Sequence, residues 1–75
     1  MDLRPEIQER LMREHTEFRK LMEEHRAADE KLQRLVNKLR LSSEEHLEEV
    51  ELKKAKLRAK DRIYAIYNEH LGREQ

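Results

Sequence analysis

Seventy-five residues allow one domain and a core that shields only a modest part of the chain's surface. Charged residues make up 45% of the chain and hydrophobic ones 36%. Seventeen acids balance seventeen bases, so no global field draws the chain to DNA or to an anionic membrane. No apolar run approaches the ~20 residues of a membrane span, MDLRPEIQER has no signal-peptide core, and there is no cysteine for a disulfide staple. A soluble, cytoplasmic protein of bacterial type is expected.

One glycine, one proline and heavy use of Glu, Lys, Arg, Leu and Ala are the composition of long helices or coiled coils. So polar a chain also fits disorder, but its apolar residues are periodic rather than scattered. The expected fold class is all-α. It is an antiparallel two-helix hairpin, coiled-coil-like, that assembles into a four-helix or larger bundle by self-association. Residues 1–75 form one unit, with helix 1 over about 3–40, a turn at about 41–43 and helix 2 over about 43–71.

Helix 1 opens at Pro5, whose missing N–H costs nothing in a first turn, with Asp2 or Arg4 just outside it. Ile7, Leu11, Phe18, Leu21, Met22, His25, Ala28, Leu32, Leu35, Val36 and Leu39 then recur at threes and fours on one broad face. Glu14-His15-Thr16 is the weak point, because no strong apolar residue holds the seam there and Thr is a poor helix former. A kink or break is allowed at that place. In the turn, Ser42 and Glu45 have the spacing of a capping box, and Glu44, Glu45, Glu48 and Glu49 suit the positive end of a new helix dipole. Gly72 offers a left-handed residue to stop helix 2.

So short a turn folds the helices back on each other, and residues whose numbers sum to roughly 83–86 then face one another. The acidic start of helix 2 falls beside Arg34, Lys38 and Arg40. Lys53, Lys54 and Lys60 fall beside Glu30, Asp29 and Glu23. Helix 2 carries two stripes. One holds Leu47, Val50, Leu57 and Tyr64, with Lys54 and Asp61 among them. The other holds Leu52, Ala55, Ala59, Ile63 and Ile66, on nearly the opposite side. One stripe covers helix 1, and the other needs a second partner. With Ile7 and Leu11 beyond the reach of helix 2, the expected oligomer interface is Ile7, Leu11, Leu52, Ala59, Ile63 and Ile66. The alternative for Ile7 and Leu11 is a break near Thr16 that lets their segment fold back.

Four ionisable residues fall inside the expected seam, as a polar layer pairing Lys54 with Asp29 and Asp61 with His25. Such a layer has two readings, a site of perturbed pKa or a device that fixes register. With no pocket and no nucleophile implied, the register device is the better reading. Each of the four histidines follows a glutamate, and adjacent residues on a helix point about 100° apart, so these dipeptides do not chelate. Neither the Glu-x-x-His spacing of di-iron bundles nor HExxH occurs, and no metal or other cofactor is expected. Lys53 to Arg62 holds six bases against one acid and raises a nucleic-acid reading. However, apolar residues are threaded through the run, no aromatic is interleaved for stacking, and acids lie opposite.

The pattern Phe18-x-x-Leu21-x-x-x-His25-x-x-x-Asp29-x-x-Leu32, followed by Leu52-Lys53-Lys54-x-Lys56-Leu57-x-x-Lys60-Asp61-x-Ile63, resembles the YdcH-like family of small bacterial proteins of unknown role. The resemblance covers roughly residues 18–66. The chain departs from that pattern at Ala28, usually a large aliphatic, and at Arg62, usually Glu. The resemblance implies a helical hairpin and a scaffold role for His25, Asp29, Lys54 and Asp61, and it adds no catalytic residue. The expected function is therefore non-enzymatic: a structural or adaptor protein acting through self-association and helix–helix contacts. Its partners would be copies of itself or another helical protein, with no membrane and no small-molecule substrate. The alternative is a nucleic-acid-binding accessory protein using Lys53–Arg62.

Overall fold

The computed structural model describes residues 3–74, with side chains over 3–72. Asp2, offered above as a flank of the first helix, lies outside them. The described residues are helical throughout apart from short connections, in the order α1 (Pro5–Glu14), α2 (Thr16–Val36) and α3 (Ser43–Glu74). There are thus three helices where the sequence reading expected two.

The single expected helix over 3–40 is interrupted at His15, within the Glu14-His15-Thr16 weak point. His15 has an extended backbone, φ −113° and ψ 102°, and serves both neighbours. Its N–H donates to the Leu11 carbonyl at 2.8 Å, closing α1. Its Nδ1 accepts from the Phe18 N–H at 3.1 Å, capping one of the amides that the start of α2 leaves without a helical partner. The break costs little because both new ends are satisfied by one residue.

α2 stops at Val36, four residues short of the expected end. Val36 is 53% exposed and Leu39 lies wholly in solvent, so neither gains burial by prolonging the helix. The turn then delivers the capping box as read. The Glu45 N–H donates to Ser42 Oγ at 3.1 Å and the Ser42 N–H donates to Glu45 Oε1 at 3.0 Å. At the other end, α3 runs through Gly72 to Glu74, and no described glycine has positive φ. The expected glycine stop is not used. The residue sits inside the helix with nothing within 4 Å of where a Cβ would lie.

α2 and α3 lie antiparallel, as the order of their cross-links shows: Lys38 with Glu45, Asp29 with Lys56 and Glu17 with Arg62. α1 does not continue that line. Thirteen residues separate Arg4 from Glu17, yet only five separate their partners on α3, Tyr67 and Arg62. A helix running straight alongside α3 would advance residue for residue, so α1 lies across the end of the pair. There the largest side chains meet: Phe18 and Ile63, both fully buried, with Leu3, Ile7, Leu11, Ile66 and Tyr67. Towards the turn, Ala28, Leu32 and Leu35 of α2 and Ala59 of α3 are buried, and the alanines allow close approach.

This arrangement corrects the stripe assignment. Ile7, Leu11, Ala59, Ile63 and Ile66, expected between chains, are buried within one chain, and Leu52 is half-buried on the same side. The physical reason lies in the competing stripe. Turning Leu47, Val50, Leu57 and Tyr64 inward would take Lys54 and Asp61 out of water with them, an expensive desolvation. Ile63, Ile66 and Tyr67 carry no such penalty, and they meet the apolar residues of α1 that the break at His15 frees.

Candidate helix-docking face

The ion pairs between α2 and α3 show which side of α3 faces inward. Asp29 accepts from Lys56 Nζ at 2.6 Å, with the two side chains 42% and 35% exposed. The ammonium holds the Asp29 carboxyl below its ordinary range, through the hydrogen bond first and charge second. His25 sits half-buried one turn before Asp29. Burial lowers its imidazole pKa, Lys56 and Lys60 lower it further, and Asp29 works against them. Arg62 makes a two-pronged contact with Glu17, at 3.1 and 3.0 Å, which lowers the Glu17 carboxyl and raises the guanidinium.

Of the expected polar layer, His25 and Asp29 are therefore on one side together, but the lysine that pairs with Asp29 is Lys56. Lys54 is exposed, with a long 3.8 Å contact to Glu51 of its own helix, and Asp61 is exposed. The register expected from the turn, sums of 83–86, holds for Lys38 with Glu45 at 83 and Asp29 with Lys56 at 85, but not at the far end, where Glu17 and Arg62 sum to 79. At the polar layer the error was rotational. Leu52, Lys56, Ala59, Ile63 and Ile66 follow one another at fours and threes, and that spacing carried the missing signal for Lys56. Lys54 and Asp61 lie on the other side of the helix.

That other side is left uncovered. Leu47 is 67% exposed, Leu57 58% and Val50 46%, whereas Tyr64, at the far end of the same line, is half-buried and packs against the core. Val36 and Leu39 add exposed apolar surface near the turn. In heptad terms Val50, Leu57 and Tyr64 occupy one repeating position, and Leu47, Lys54 and Asp61 the other, which is the seam pattern of a coiled coil. From Leu47 to Tyr64 the line runs about 26 Å at the rise of an α-helix.

Among the described residues no group of three or more His, Asp or Glu could hold a metal ion. The surface hollows are open; the one beside His25 and Asp29 is completed by Met12, Met22, Glu23 and Arg26, with no nucleophile. The basic segment is largely neutralised by its own chain. Lys53 meets Glu49 at 3.6 Å, and Lys54, Lys56 and Arg62 have the carboxylates already named. No described helix is long and apolar enough to cross a membrane.

Comparison with known proteins gives one family. A family described as a protein of unknown function (DUF465) matches residues 18–67, the stretch from Phe18 in the core to Tyr67 against α1. No curated protein and no solved structure is similar enough to the chain to count as a match.

Proposed function

We propose, from the premise that this chain belongs to the DUF465 family of proteins of unknown function, that it is a structural or adaptor protein whose working surface is the outer face of α3. The observation that carries the reading is the exposure of Leu47, Val50 and Leu57 in heptad spacing on a helix that buries Ala59, Ile63 and Ile66 on its opposite side. A helix is the occupant such a line fits, because side chains at a and d positions seat between those of a facing helix. The pairing of α2 with α3 would then be extended by a further helix into a bundle. The YdcH-like resemblance rests on the motif residues alone.

Phosphate binding through Lys53–Arg62 is the weaker reading, because four of its six bases already meet carboxylates of the same chain. It also predicts an affinity for nucleic acid that falls steeply with salt.

The test is a Leu47→Gln, Val50→Gln, Leu57→Gln triple variant. Its helical circular dichroism should match the parent, because none of the three residues supports the core. Crosslinking in the native cell should lose every product that involves α3. Unchanged crosslinking through α3 would remove the docking reading.

A further inference from the structure

Lys54 and Asp61 are the two charges inside the otherwise apolar outer line of α3, seven residues apart, and both are exposed. Resting on the docking reading above, we infer that the occupant of this face is α3 of a second copy of the same chain, laid antiparallel across a two-fold axis beside Leu57. The two charges argue for it. A parallel pair in register would set Lys54 against Lys54 and Asp61 against Asp61, a repulsive arrangement at both positions. An antiparallel pair sets Lys54 of each copy beside Asp61 of the other, twice, because a two-fold interface repeats every contact. The same alignment brings Leu57 to Leu57 at the axis and Val50 near the half-buried Tyr64 of the second copy on either side, so the apolar contact is centred on Leu57 and Val50, while Leu47 falls opposite Tyr67, which its own core buries. The self-complementarity is a property of the spacing, since no other pair of opposite charges lies within the line.

Lys54 is available for this role, its contact among the described residues being the long 3.8 Å one to Glu51. The zero net charge of the chain places no long-range repulsion between copies. At one edge Lys53 approaches Lys60 of the second copy. Glu49 offsets Lys53 within the chain, and the residual repulsion makes a concentration-dependent dimer rather than a permanent one.

The experiment is analytical ultracentrifugation of the full chain from about 1 µM to about 300 µM, spanning the range of moderate affinities. It is run on the parent, Lys54→Asp, Asp61→Lys, the double charge swap and an equimolar mixture of the two single variants. The parent should pass from monomer to dimer within the range. Each single reversal should weaken association at least about tenfold, as like charges across an interface do. The double swap and the mixture should both recover it, because each restores the two opposite-charge contacts. Circular dichroism of the exposed-site variants checks that the fold is kept. A parent that stays monomeric, single reversals that dimerise as well as the parent, or a mixture that fails to recover would each overturn the second-copy assignment. Loss of α3 crosslinks to a different protein on Leu57→Gln, with a monomeric parent, would overturn this inference and leave the docking reading standing. If Leu57→Gln changes neither association nor crosslinking, both fall.

Discussion

Single side chains in this molecule are distinguished more by the direction they face than by their type. Lys54 and Lys56 are two residues apart and chemically identical, yet one closes the contact to Asp29 and the other lies in solvent. Half-exposed pairs contribute modestly, but they can be told apart by coupling. In denaturant unfolding, Asp29→Leu combined with Lys56→Met should be less destabilising than the sum of the single changes. Asp29→Leu combined with Lys54→Met should be additive within error. Coupling to Lys54 instead of Lys56 would show that α3 is rotated from the orientation described.

Among the elements, α1 is the one held by least. It has ten residues, too few to persist as a helix alone, and one extended residue joins it to α2. Its anchors are Leu3, Ile7 and Leu11 in the core and the Arg4 N–H donating to the Tyr67 hydroxyl at 3.1 Å. Tyr67→Phe removes that acceptor while keeping the ring, a loss of about 1 kcal/mol. Native-state hydrogen exchange should then speed up across 8–14 while residues 20–35 keep their protection. Equal acceleration in both segments would mean that α1 does not open independently. α3 offers the opposite case at Gly72, where the helix passes through a glycine with open space around it. Gly72→Ala should stabilise by about 0.5 kcal/mol, by restricting the unfolded chain and favouring the helix. A destabilised variant would mean that the helix ends at residue 72.

At the scale of the whole molecule, the titrating groups act in one direction. His25 is held below its ordinary 6.5 chiefly by burial, so the unfolded chain binds its proton more readily. Stability from this group is complete above 6.5 and is lost as pH falls below that value. Glu45 is lowered from 4.5 to about 2, first by Lys38 and then by the Ser42 N–H. Glu17 is lowered by Arg62 and Asp29 by Lys56. These carboxylates stabilise the fold above about 4.5 and cease to do so as acid protonates them. Thermal midpoints should therefore fall in two steps on acidification, one beginning near 6.5 and a larger one below 4.5. His25→Gln should abolish the upper step alone. Persistence of that step in the variant would assign it to another histidine.

Helix content, the Ser42–Glu45 cap, the weak point at His15 and the antiparallel register near the turn were all readable from the residues in order. Each depends on contacts within a few positions, or on one short turn that fixes what lies opposite what. The existence of two stripes on α3 was readable for the same reason, since 100° per residue places side chains around a helix without reference to anything else. Which stripe faces inward was not. That choice compares the burial of Ile63, Ile66 and Tyr67 against Phe18 and a displaced α1, residues more than forty positions away, with the desolvation of Lys54 and Asp61. The course of α1 across the end of the pair was undecided for a related reason. The sequence marks where the helix can break, but the direction taken afterwards is set by the apolar surface available on α3, and only tertiary packing supplies that.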